Sequence, residues 1–130
     1  MGLADLLFLL GDWIMSEEKT LFQKIADKEI PSEEVYSDED YYAFRDLNPG
    51  APTHILVIPR KPIPKITDAT EADAALLGRL FLVANKIAEA EGLTEKGFRY
   101  VINCGDDGEQ TVYHLHLHLL GGRPLSWPPG

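Results

Sequence analysis

Cysteine and positive charge are both scarce in this chain. Cys104 is the only cysteine, so no intrachain disulfide can form, and a reducing, cytoplasmic setting is expected. It reads as a small buried residue rather than a reactive thiol. Twelve Lys and Arg stand against 21 Asp and Glu, a net charge of −9. That balance argues against a nucleic-acid polymer as partner, because such binding needs a basic surface that neutralises many phosphates. A single mononucleotide stays admissible, since a few backbone N–H groups and histidines inside a cleft can meet its charge. No apolar run reaches the roughly 20 residues of a membrane-spanning helix, and the run Leu6 to Leu10 falls far short, so no membrane partner is expected. Repeats, low-complexity tracts and interdomain linkers are also missing. The 130 residues therefore read as one domain, long enough to bury a core without staples.

Against these absences stands one concentrated feature. From Tyr113 to Gly122 the chain reads YHLHLHLLGG, with histidine and leucine alternating from His114 to Leu119. Period-2 alternation predicts a strand whose His114, His116 and His118 share one face, about 6.8 Å apart, while Leu115, Leu117 and Leu119 enter a core. Three imidazoles in a row are poor packing, because each carries a donor and an acceptor that need partners when buried. They point to chemistry near neutral pH. The competing chemical reading is a zinc site, weakened because no cysteine pair or carboxylate stands at ligand spacing beside them.

His114-x-His116-x-His118 followed by two apolar residues resembles the signature of the histidine triad (HIT) family of nucleotide hydrolases and transferases. Gln110 to Tyr113 before it, Gly121 to Pro124 after it, and the closing Trp127-Pro128-Pro129-Gly130 are similar to the histidine triad nucleotide-binding (Hint) branch. The resemblance covers about residues 16 to 130. Residues 1 to 15, MGLADLLFLLGDWIM, then form an N-terminal extension: an addition ahead of the domain, or alternatively an amphipathic helix that covers an apolar patch.

Along the rest of the chain, Thr20 and Gln23 have capping-box spacing, and Leu21, Phe22, Ile25 and Ala26 predict a short helix to about Lys28. Val35–Tyr36 and Tyr41 to Arg45 predict a hairpin around Ser37 to Asp40. Ile55 to Ile58 reads as a central strand ended by Pro59. Thr70 and Asp73 cap a long helix over about Glu71 to Glu91, which Gly92 stops. Phe98 to Ile102 is a further strand. The fold class expected is α+β: a meander-like antiparallel sheet of about five strands with one long and one short helix. The resemblance implies a HIT-like fold whose sheet runs on into a second subunit of a homodimer.

The resemblance also implies roles for single residues. Phe22, Ile25 and Ile30 would line a pocket for base and ribose, with Phe44 and Leu47 beside them and Asp46 accepting from the ribose hydroxyls. The loop Cys104 to Thr111 would hold the phosphate through Asn103, Glu109, Gln110 and Thr111. Glu109 stands where the branch usually has glycine, so its carboxylate should point away, and glycine there should tighten AMP binding. His116 would be the nucleophile, with a ring nitrogen held by the main chain near His114. His118 would stabilise phosphoryl charge, Thr111 would aid the leaving amine, and His54 would orient His114. The activity implied is hydrolysis of a purine nucleoside 5′-phosphoramidate or a related AMP-linked substrate, without cofactor or metal. The competing class is a nucleotide-binding regulatory module.

Overall fold

The computed structural model describes residues 18–130, so the expected extension over residues 1 to 15 lies outside the described residues. Its elements are α1 (Leu21–Ala26), β1 (Glu34–Ser37), β2 (Tyr41–Arg45), β3 (Thr53–Pro59), α2 (Ala74–Ala90), β4 (Arg99–Val101) and β5 (Leu117–Gly121). The strands form one antiparallel sheet in the order β1-β2-β3-β5-β4. This corrects the meander expectation. After β3 the chain crosses through α2, lays β4 at the edge, and returns β5 between them.

Strand parity separates the two faces of the sheet, as the alternation of side chains along a strand requires. Tyr41, Ala43, Ile55, Val57, Leu117 and Leu119 turn toward Leu80, Val83, Ala84, Ile87 and Ala88 of α2 and form the larger core. Each fully buried aliphatic side chain there contributes about 1.5–3 kcal/mol. Tyr42, Phe44, Leu56 and Ile58 turn the other way, against Phe22, Ile25 and Ala26 of α1. His54 and His118 share that parity, so the histidines stand on the α1 face.

Both capping boxes form. The long helix begins later than expected, because Glu71–Asp73 is a 3₁₀ turn in front of Ala74. The short helix ends two residues early, at Ala26, where Lys28 takes a φ of 63° and closes the turn by donating to the Ile25 carbonyl at 3.0 Å. Gly92, with φ of 73°, ends α2 as expected.

Candidate active site

The histidine run is only partly strand. β5 starts at Leu117, so His118 lies in the ladder while His114 and His116 precede it. The β3–β5 register, Val57 opposite Leu117, would next set Pro59 against Leu115, and proline has no N–H for the ladder. Leu115 donates instead to the Ile63 carbonyl at 2.6 Å. The alternation of faces survives without the ladder. Leu115, Leu117 and Leu119 are buried, while the His114 and His116 rings meet Phe22 at centroid distances of 6.0 and 5.0 Å. The His116 and His118 rings stand 4.9 Å apart.

A cleft of about 250 Å³ opens over these rings. It is lined by Phe22, Ile25, Phe44, Asp46, Leu47, Thr111, His116 and His118 from the expected set, and also by Leu21, Leu56 and Val112. Leu56 was legible as a site residue only through its pairing opposite His118. The structure leaves the other expected residues off this lining. Ile30 packs beside the smaller core and opens on a separate hollow with Lys28 and Tyr42.

Gln110 is buried, and its side chain serves the loop itself. It accepts from Gly105 N–H at 3.1 Å and donates to the carbonyls of Pro64 and Val112 at 2.8 and 3.1 Å. The main-chain N–H of Glu109 donates to the Asp106 carbonyl at 3.0 Å, and that of Gln110 to the Gly105 carbonyl at 3.0 Å. These loop N–H groups therefore close turns rather than form an open anion nest. Gly108 is needed here, since a Cβ would lie 2.6 Å from the Cys104 carbonyl oxygen. Asn103 is half-buried away from the lining, and Cys104 is half-buried rather than buried, with Sγ 3.6 Å from Thr67 Oγ1.

Glu109 is exposed with φ of 63°, a left-handed conformation that costs a non-glycine residue about 1 kcal/mol or more. Glu109→Gly should therefore raise stability by up to about 1 kcal/mol, read in urea denaturation. Because Glu109 does not line the cleft, AMP affinity should change little on this substitution.

Further hydrogen bonds fix the rings. His116 Nδ1 donates to the His114 carbonyl at 2.8 Å, so its unprotonated nitrogen is Nε2. His114 is wholly buried. Its Nε2 donates to the Pro59 carbonyl at 2.7 Å, and its Nδ1 lies 2.6 Å from Thr20 Oγ1, a partner the sequence did not suggest. His54 does not orient His114. Its Nε2 lies 2.9 Å from His118 Nδ1, because the register sets His54 opposite Leu120, one same-face step from His118 and far along the strand from His114. Asp46 Oδ2 approaches His54 Nε2 at 3.5 Å, so a carboxylate does stand beside the histidines after all.

Burial lowers all four imidazole pKa values. For His114 the nearby His116 adds to the effect, while the Pro59 carbonyl opposes it. For His116 the His114 carbonyl and Asp46 oppose it. For His54 Asp46 opposes it. His118 falls to about 4, driven by burial and then by His116 and His54, against Asp46. The cluster is thus neutral at pH 7. Since these groups bind protons less readily folded than unfolded, their contribution is complete above about pH 6.5 and is lost as pH falls below it, that of His118 only as pH nears about 4. Thermal melts should show the midpoint dropping across that window. A flat profile from pH 7 to 5 would contradict the burial.

An antiparallel sheet with helices on opposite faces and a neutral histidine cluster under an open cleft defines a class of small α+β proteins that act on a ligand at one sheet face. The HIT domain pattern matches residues 27–125, and the chain belongs to the HIT family, on its histidine triad nucleotide-binding branch. It is 53% identical over 109 residues to the purine nucleoside phosphoramidase of Escherichia coli, covering 84% of this chain and 92% of that protein. The 14 kDa zinc-binding protein of Zea mays is 52% identical over 118 residues, covering 89% and 91%. The crystal structure of a HIT family hydrolase from Legionella pneumophila superposes with a TM-score of 0.84 at 52% identity, covering 86% and 100%.

Proposed function

We propose that this chain hydrolyses purine nucleoside 5′-phosphoramidates, or related AMP-linked substrates, through a nucleotidyl group on His116. The observation that carries this reading is the pinned ring of His116, whose Nδ1–H donates to the His114 carbonyl while Nε2 is left as a lone pair in the cleft. In the first step Nε2 bonds to the α-phosphorus and the P–N bond breaks. The departing nitrogen takes a proton through the Thr111 hydroxyl at the mouth, which solvent restores. In the second step water forms a P–O bond, the Nε2–P bond breaks, and the proton leaves to solvent. His118 meets charge on the phosphoryl oxygens. Phe22, Ile25, Phe44 and Leu47 offer an apolar slot for the base, and Asp46 offers a carboxylate to the ribose. The similarity to a purine nucleoside phosphoramidase supports the substrate class.

The name of the maize relative favours one other reading, a cation held by Asp46, His54 and His118, whose ligand atoms lie within 4.8 Å of one another. The residues fit it poorly. His54 Nε2 and His118 Nδ1 lie 2.9 Å apart, a separation that a single proton between them accounts for, and that proton occupies two of the three ligand atoms.

Phosphorus NMR of pure protein with AMP conjugates of several amines should show conversion to AMP, unchanged by excess EDTA. Loss of turnover on chelation, restored by Zn²⁺, would favour the cation. We also place the protein in the cytoplasm as a homodimer. No helix among the described residues is long and apolar enough to cross a membrane. Phe81 and Leu82 are exposed on α2, and β4 is an edge strand. Sedimentation at the monomer mass would remove the dimer.

A further inference from the structure

With 21 Asp and Glu against 12 Lys and Arg, the chain as a whole repels anions, and one hollow departs from that balance. It lies where the turn after α2 meets the segment after β5. The hollow holds about 340 Å³ against the cleft's 250 Å³, and the two share no lining residue. Backbone conformation makes the space. Gly92, Gly97 and Gly122 border it with φ of 73°, 98° and 94°, values that side chains rarely tolerate, and a Cβ on Gly122 would press on Pro52 at 2.9 Å. No side chain fills the hollow from these three positions. Buried Leu93 and exposed Pro124 supply apolar walls. Lys96 and Arg123 supply charge, and no carboxylate lines the hollow. Among the described residues neither cation is in an ion pair. The guanidinium of Arg123 is also held in place, since Nη1 donates to the Pro124 carbonyl at 3.0 Å and Nη2 to the Gly50 carbonyl at 2.9 Å. Two carbonyls orient the group without neutralising it, so its other N–H groups remain available and less freedom is lost when a ligand binds.

We propose that this hollow is a second anion site, separate from the cleft, which takes a compact molecule carrying two negative charges on a small apolar body. Arg123 meets the anionic oxygens with the N–H groups it has free, and Lys96 adds a point charge. The apolar body rests on Leu93 and Pro124. Because both cations are exposed and solvated, each contributes modestly, and binding falls in the millimolar range and weakens with salt.

Amide ¹H–¹⁵N spectra of the labelled full chain, with one equivalent of AMP added to fill the cleft, follow the site directly. Phenyl phosphate and phthalate, titrated separately, should shift the amides of Gly92, Gly97, Gly122 and Arg123 and leave those of Thr111 and Val112 in place. Benzyl alcohol, an apolar body without charge, should shift none of them. Lys96→Gln and Arg123→Gln should each weaken the dianions about three- to tenfold, and Lys96→Glu should weaken them further. Lys86→Gln, at an exposed lysine outside the hollow, should leave their affinity unchanged. A response to one dianion alone supports the site and assigns it to phosphate esters or to carboxylates. No shift at the hollow's amides with either dianion would overturn the proposal. So would equal shifts from benzyl alcohol, or a dianion affinity that Lys96→Gln and Arg123→Gln both leave intact. The hollow's amides report on this site whether or not AMP occupies the cleft, so failure of the hydrolytic reading leaves the outcome readable.

Discussion

Replacing His116 with alanine should lower turnover by on the order of 10⁴-fold or more while AMP still binds. The ring has one job that no neighbour can assume. Its Nδ1–H is fixed on the His114 carbonyl at 2.8 Å, Phe22 stands edge-on at 5.0 Å, and Nε2 is left as the bare nitrogen. His114 is buried with both nitrogens engaged, and His118 Nδ1 is engaged with His54. A shift of either into the nucleophile's place would break buried hydrogen bonds. In the proposed reading the nucleoside rests on Phe22, Ile25, Phe44, Leu47 and Asp46 of the cleft, which the substitution leaves in place, so affinity for AMP should stay within a few-fold of the parent. Steady-state rates on an AMP-linked amine and calorimetric titration with AMP separate the two effects. Rapid quenching of the parent with limiting substrate should trap a nucleotidyl peptide containing His116. Activity of the alanine variant within tenfold of the parent would remove the covalent mechanism.

The lowered imidazole pKa values suit this chemistry, because a nucleophilic nitrogen needs to be unprotonated at working pH. Burial keeps His116 and its neighbours neutral below the ordinary histidine range. The same burial removes water from around the developing charge, which strengthens each fixed dipole in the cleft.

Local patterns were legible from the sequence where local physics decides the outcome. Alternation placed Leu115, Leu117 and Leu119 in the interior and the histidines on the other side, even though the ladder reaches only back to Leu117. Thr20 with Gln23 marked the start of α1, and Thr70 with Asp73 marked the 3₁₀ turn that leads into α2. What the sequence hid depends on register and on loop closure. A single strand does not disclose its partner's register: the resemblance implies that His54 orients His114, and the β3–β5 alignment delivers it to His118. The β2–β3 alignment, with Arg45 opposite Ile55, brings Asp46 to His54, a contact that no spacing announces. The resemblance implies a nucleotide contact for Gln110, and the structure adds a second use for it: its side-chain amide satisfies two carbonyls and the Gly105 N–H around the tight Gly105 to Gln110 turn.

Thr20→Val should destabilise the protein by about 2–4 kcal/mol, well beyond the cost of an ordinary cap. The Thr20 hydroxyl works in two directions. Its oxygen accepts from Gln23 N–H at 3.0 Å, while Thr20 N–H donates to Gln23 Oε1 at 2.8 Å, which completes the capping box of α1. The hydroxyl proton has only one productive course. His114 Nε2 donates to the Pro59 carbonyl, so His114 Nδ1 bears a lone pair, and Thr20 Oγ1 stands 2.6 Å from it. Valine keeps the shape and removes both bonds. The lost cap costs about 1 kcal/mol, and a lone pair left without a donor on a residue with 0% exposure adds about 1–3 kcal/mol. At about 4 °C per kcal/mol the melting midpoint should fall by roughly 10 °C. Thr20→Ser keeps the hydroxyl and should lose much less. The valine variant should also slow turnover, since the His114 carbonyl that holds His116 belongs to the residue Thr20 anchors. Urea denaturation of the three proteins at pH 7.5 measures the difference. A loss below about 1 kcal/mol for valine would mean that His114 finds another donor and that Thr20 is a helix cap alone.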